Sequence, residues 1–333
     1  MTALLELRPE GLFCPAGGFH VDPWLPVPRA VITHGHSDHA RAGHGEYHVA
    51  RRGMPILRWR LGEQDYRPLD YGEPVQLGDA RVSLHPAGHV LGSAQVRVEV
   101  DGATWVVSGD YKRDPDPTCE PFEPVRCDVF ITEATFALPV YRWQPTPEVI
   151  ADLIGWWAAC RARGQVAVLF CYALGKAQRI LAEIALQLAA DPDWPVYLHG
   201  AIASGVAVYR EAGVALYPTE PVAEQATKRD WAGALVLAPP SAAGTTWMRR
   251  FGKTSTAFAS GWMRIRGNRR RRGHDRGFVI SDHADWPGLL RSIDDSGASR
   301  ILATHGNCEA LVRHLREQGR DAAALRTQFG AEE

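Results

Sequence analysis

Short apolar runs punctuated by turn residues fill the first 135 positions, and those at 30–33, 81–84, 95–100, 105–108 and 129–132 predict strands. Between two of them Asp101-Gly102 predicts a tight hairpin. From about Pro145 the pattern changes. Helical periodicity over 147–163 and 176–190 alternates with a strand-like run at 166–170, and further short strands are expected at 196–198, 234–237 and 256–259. Pro239-Pro240 and Gly244 mark loops among them. The runs 277–281 and 300–304 return to the character of the first third, and a last helix is expected at 309–318. The order reads as α/β, an outer domain split by an insertion, with no internal repeat.

Composition narrows the classes. With 333 residues and 45% apolar content the chain can bury a large core. Six cysteines form no CxxC pair, which argues against a disulfide framework or a zinc ribbon and for reduced thiols in the cytoplasm. An acidic start and the lack of any run of about 18 apolar residues argue against export and against a membrane partner. The net charge of −1 conceals a basic stretch from Arg249 to Arg276 that holds Arg264, Arg266, Arg269, Arg270, Arg271 and Arg272, opposed only by Asp275. Guanidinium forks match phosphate oxygens, and Trp262 among them suits stacking; a solvated loop is the plainer alternative for the Arg269–Arg272 run.

The densest chemistry lies directly after the first of these strands, in His34-Gly35-His36-Ser37-Asp38-His39. Residues i and i+2 of an extended segment project to one side, so His34 and His36 can share one cation while Asp38 and His39 turn toward another. Further candidate ligands each follow an expected strand: His89, Asp110 and Glu133. Two more imidazoles lie far downstream, His283 in Ser281-Asp282-His283-Ala284-Asp285 and His305 in Thr304-His305-Gly306.

Taken together, Asp22, His34, His36, Asp38, His39, His89 and Asp110 resemble the motifs of the metallo-β-lactamase superfamily, in the same order along the chain. That resemblance implies an αββα sandwich in which His34, His36 and His89 hold one metal, Asp38 and His39 a second, and Asp110 bridges them. Asp22 would orient ligating imidazoles from behind. The whole domain inserted before the last ligand, preceded by Thr132-Glu133-Ala134-Thr135, resembles the β-CASP nucleases. Their three further motifs match Glu133, His283 and His305. The resemblance then implies that His305 completes the second metal sphere, as in RNase J and the mRNA 3′-end processing endonucleases and unlike the Artemis type. Glu133 and His283 would form an acid pair serving the leaving oxygen. It also implies domains at 1–136 and 277–333, the two parts of the metallo-β-lactamase domain, around an α/β β-CASP insertion at 137–276.

The segments Phe258-Ala259-Ser260-Gly261-Trp262-Met263-Arg264-Ile265-Arg266 and Cys14-Pro15-Ala16-Gly17-Gly18-Phe19-His20-Val21-Asp22-Pro23-Trp24 are similar to those of bacterial ligase-associated DNA exonucleases. The implied activity is two-metal hydrolysis of DNA phosphodiesters in repair, with a DNA ligase or helicase as functional partner. Zinc suits the His/Asp donors, and manganese is the alternative. An RNA-processing nuclease and a non-catalytic nucleic-acid-binding subunit are the competing readings. Lys176, after the glycine turn at Gly175, and Ser260 are expected phosphate contacts beside the arginines, with an ordinary strand-to-helix turn the alternative for Lys176.

Overall fold

The computed structural model describes residues 3–188, 193–222, 231–265, 273–325 and 327. Two compact units emerge, Met1–Arg142 with His283–Glu333, and Trp143–Asp282, so the seams fall at 142/143 and 282/283, each six residues beyond the expected domain boundaries.

The first unit is built on two sheets. One has six strands in sequence order: Glu6–Arg8, Gly11–Cys14, Phe19–Val21, Arg29–Ile32, Glu46–Ala50 and Tyr66–Leu69. The other has seven, in the order Asp321–Ala324, Arg300–Gly306, Val129–Ala134, Ala103–Val107, Ala94–Val100, Ala80–Pro86 and Val75–Leu77. Alternation along the strands explains how they stack. Leu12, Phe19 and Val31 from the first sheet share one buried cluster with Val82, Val96, Val98, Val107 and Ile131 from the second. On the outer face of the first sheet Ala30, Ile32 and Val49 pack with Met54 and Leu57 of helix Met54–Leu61. On the outer face of the second, Val106, Phe130 and Ile301 pack with Leu289 and Ile293 of helix Trp286–Ser296 and Leu311 and Leu315 of helix Cys308–Glu317. The layers are therefore helix, sheet, sheet, helix.

Strand direction matters for the site. Ala103–Val107, Val129–Ala134 and Arg300–Gly306 are parallel neighbours, and Ala80–Pro86 runs the same way through two antiparallel steps. Their carboxyl ends therefore lie on one edge. The expected hairpin is present, with Asp101 and Gly102 at φ 49° and 79° between paired Val100 and Ala103, the backbone a type I′ turn needs.

The second unit is a parallel six-stranded sheet ordered Glu220–Pro221, Val196–Leu198, Leu235–Ala238, Val166–Phe170, Thr254–Ala259 and Arg276–Phe278. Ala167 and Leu169 face helices Thr146–Ala162, Lys176–Gln187 and Gly200–Glu211, while Val166, Val168 and Phe170 face Trp231, Phe251 and Met263. One strand expectation is corrected. The run at 277–281 does not rejoin the ligand-bearing sheet: Arg276–Phe278 pairs with Thr254–Ala259, because Phe278 and Ile280 bury in the core of the second unit. Among the described residues no helix is long and apolar enough to cross a membrane.

Candidate metal centre

The hexad after Arg29–Ile32 is shaped by Asp22. This residue holds a left-handed φ of 44° ahead of Pro23. Its carboxylate accepts from the Thr33 main-chain N–H at 2.7 Å and from the Thr33 hydroxyl at 2.6 Å, and lies 2.7 Å from His39 Nδ1. The Thr33 hydroxyl is 3.0 Å from His34 Nδ1. Both Nδ1 atoms are thereby engaged, which turns Nε2 of His34 and of His39 inward. Main-chain hydrogen bonds from His39 and Ala40 to the His36 carbonyl close the turn, and the Arg60 guanidinium donates to the Gly35 carbonyl.

Other loops deliver the remaining donors. His89 sits in a turn whose Ser93 hydroxyl accepts from the N–H groups of His89 and Val90 at 3.0 and 3.2 Å. Asp110 follows Gly109, whose φ is 56° and whose added Cβ would stand 2.7 Å from Thr33 Cβ; only glycine lets the two loop backbones approach so closely. His305 is a different case. In the parallel ladder Glu133 pairs with Thr304 and Ala134 with Gly306, so His305 is bulged out, at φ 56°. A bulge re-aims a side chain at some cost in backbone strain, and here it directs the imidazole toward His39, with the rings stacked at 5.1 Å and 28°.

Three donor groups result. His34, His36, His89 and Asp110 form one, Asp38, His39 and His305 a second, and Asp110, Glu133 and His283 a third, each with its donor atoms within 4.8 Å of one another. Asp110 Oδ2 joins the first two: it lies 3.6 Å from His34 Nε2, 3.7 Å from His89 Nε2 and 3.4 Å from His39 Nε2. In the first group His36 Nδ1 is 3.1 Å from both His34 Nε2 and His89 Nε2. Tetrahedral nitrogen ligands around zinc stand about 3.3 Å apart, so the spacing fits a cation. In the second group His39 Nε2 is buried and has no hydrogen-bond partner among the described residues, with Asp38 Oδ2 3.5 Å away. A buried imidazole nitrogen left without a hydrogen bond beside two carboxylates also suits a metal.

Electrostatics separates the two groups. Burial, reinforced by the neighbouring imidazoles, holds His34 well below the usual histidine range, so it stays neutral and ready to ligate. Burial also lowers His305. For His39 burial works the same way but is outweighed by Asp110 and Asp22, which hold it well above that range. Burial opposes ionisation of Asp110, yet the His39 charge prevails and keeps its carboxyl well below the usual carboxylate range.

Glu133 and His283 meet as a pair. His283 Nδ1 stands 2.9 and 3.1 Å from the two Glu133 oxygens; the carboxylate side chain is 1% exposed and the imidazole 20%. The phosphate contacts expected from sequence fare differently. Lys176 is placed otherwise than on an open phosphate-binding turn: its ammonium is buried, 3.0 Å from the buried carboxylate of Asp282. Ser260 is also buried, its hydroxyl accepting from the Trp262 N–H at 3.3 Å. Arg264 is exposed, while Arg266 and Arg269, Arg270, Arg271 and Arg272 lie outside the described residues. Sequence reasoning missed Thr33 and Ser93, whose hydroxyls contact Asp22 and His34 and the turn of His89; a hydroxyl directly before the hexad and a Gly-Ser pair after His89 were the available signals.

No family model matches the chain. It is 33% identical over 319 residues to a probable DNA ligase of Opitutus terrae, covering 95% of this chain and 30% of that protein. It is 30% identical over 228 residues to ribonuclease TTHA0252 of Thermus thermophilus, covering 60% of this chain and 51% of the relative. Over 148 residues it is 30% identical to endoribonuclease YSH1 of Yarrowia lipolytica, covering 43% of this chain and 18% of that one. The chain thus spans under a third of the ligase and about half of the Thermus protein. A crystal structure of a protein of unknown function from Enterococcus faecalis shares the fold, with TM-score 0.59 at 12% identity over 90% of this chain and 79% of that one. By its layered fold, its motifs and these relatives, the chain is related to the β-CASP nucleases of the metallo-β-lactamase superfamily.

Proposed function

We propose that the protein is a two-metal phosphodiesterase that hydrolyses DNA as an exonuclease in repair, working with a DNA-joining partner such as a ligase. One observation carries the reading: a single oxygen, Asp110 Oδ2, lies within 3.4 to 3.7 Å of imidazole nitrogens from both metal-capable groups. His34, His36, His89 and Asp110 would hold one divalent cation, zinc or manganese, and Asp38, His39, His305 and Asp110 the other. Such a pair supplies, when bound, a neutralising charge for phosphoryl oxygens and activation of water. The chain's own residues do the rest. Asp22 and Thr33 fix the imidazoles of His39 and His34. Glu133 holds His283 through Nδ1, stabilising the imidazolium, and the partly exposed ring can then give its Nε2 proton to the leaving oxygen. Arg264, Arg266 and Arg269 to Arg272 would meet backbone phosphates.

DNA as substrate is supported by the similarity to a probable DNA ligase over nearly the whole chain. RNA is the second reading, favoured by the relatives named ribonuclease and endoribonuclease. Matched end-labelled DNA and RNA strands, single and double, offered with zinc or manganese, test both. Cleavage of DNA in preference to RNA, abolished by His34→Ala and by Asp110→Ala in folded protein, is expected. A folded His34→Ala protein that still cuts would sink the two-metal reading, and preference for RNA would move it to the second.

A further inference from the structure

Directly after Asp110 the chain carries Tyr111, an aromatic residue with no solvent exposure and no part in the chemistry described so far. Each of its polar groups reaches the surroundings of the acid pair. The main-chain N–H donates to Glu133 Oε1 at 2.8 Å. The main-chain carbonyl accepts at 2.7 Å from the N–H of Ala284, the residue after His283. The phenol oxygen lies 3.0 Å from Oγ1 of Thr132, the residue before Glu133. The Thr132 hydroxyl also donates to the Glu133 carbonyl at 3.1 Å, and the phenol makes a second hydrogen bond with the Ser292 side chain of helix Trp286–Ser296. Phe122 and Phe130 hold the ring, with centroids at 5.1 and 6.4 Å.

We propose that Tyr111 is the positioning residue of the Glu133–His283 pair: its main-chain N–H and carbonyl tie the carboxylate to the backbone beside the imidazole, and its buried phenol anchors that segment to the end of strand Val129–Ala134. The proposal rests on the acid-pair reading above. Glu133 and His283 are 150 positions apart, so their separation is set by whatever ties both segments to a common point. Tyr111 is such a point, and it directly follows Asp110, whose carboxylate lies between the metal-capable groups. An acid misplaced by an ångström loses much of its advantage while ligand binding is untouched.

Tyr111→Phe removes the phenol contacts with Thr132 and Ser292, and Thr132→Val removes the first of them from its other end. Both are measured beside the unmodified protein and His283→Ala on two substrates: an oligonucleotide, whose leaving oxygen needs a proton, and thymidine 5′-(p-nitrophenyl phosphate), whose nitrophenolate leaves without one. On the oligonucleotide kcat should fall roughly 10- to 100-fold with KM and bound metal unchanged, while the nitrophenyl ester is cut at the original rate. Equal loss on both substrates, or loss on neither, overturns the proposal. His283→Ala should show the same selectivity with a loss of roughly 10² to 10⁴. If it does and the Tyr111 and Thr132 variants do not, only the positioning role falls; if it does not, the acid pair falls and the positioning role with it. Should Tyr111→Phe fail to fold, Thr132→Val, which keeps shape and branching, decides alone.

Discussion

Asp22 Oδ2 lies 2.7 Å from His39 Nδ1, and the same carboxylate binds both the main chain and the hydroxyl of Thr33, so one acidic residue outside the ligand set orients the imidazoles of two metal-capable groups. Asp22→Asn keeps the shape and removes the charge. Metal affinity should fall about 10- to 100-fold, as for other carboxylates that support a ligating histidine. Chelator-competition titration of the purified variant measures this, and unchanged affinity would reduce Asp22 to a turn residue.

The two metal-capable groups should differ in proton release. His39 is held above the usual histidine range, so at neutral pH it is protonated and a cation must displace that proton; His34, held below the range, gives none up. Binding to the group of Asp38, His39 and His305 should therefore release about one proton, and its affinity should rise with pH. Calorimetry in buffers of different ionisation enthalpy counts the protons. Equal release from both binding events would contradict the assignment.

Gly109→Ala tests the close approach of loops behind Asp110. Its φ of 56° and a contact of 2.7 Å to Thr33 Cβ both disfavour a side chain. The cost should be roughly 1–3 kcal/mol, read as a lowered midpoint in denaturant together with reduced metal content. A variant with full metal content and unaltered stability would show that the Thr33 and Asp110 loops can separate freely.

Lys176→Met distinguishes a buried ion pair from a phosphate contact. Removing one partner leaves the Asp282 charge buried, and even with Arg179 3.5 Å away the loss should be about 3 kcal/mol. The salt dependence of DNA binding should stay as it was, because no phosphate contact is removed. A flatter salt slope at unchanged stability would return Lys176 to the binding surface.

Legibility in the sequence followed distance along the chain. The hexad His34 to His39 is compact, and its ligand chemistry could be read from spacing; the strands before Asp110 and Glu133 could be read from apolar runs. The ion pair of Lys176 was not legible because its partner, Asp282, lies 106 positions away, and a glycine turn before a helix looks the same whether the lysine after it points out or in. The bulge at His305 was equally hidden: the run expected as a strand over 300–304 carries no sign that the strand goes on to Gly306 with His305 out of the ladder. Thr33 and Tyr111 escaped because their role is to hold other side chains, which composition does not reveal.

Pairing of Val129–Ala134 with Arg300–Gly306 also orders events in time. During synthesis the earlier strand waits through roughly 170 residues, on the order of ten seconds or more at ordinary elongation rates, before its parallel neighbour exists. Until then the ladder has an open edge, and His283 and His305 have not been made. A nascent chain therefore carries the hexad, His89 and Asp110 long before it carries the groups opposite them, so any cation captured early would meet an incomplete set of ligands. His283 and His305 follow the hexad by more than 200 residues, so the assembly is completed long after its first members are made.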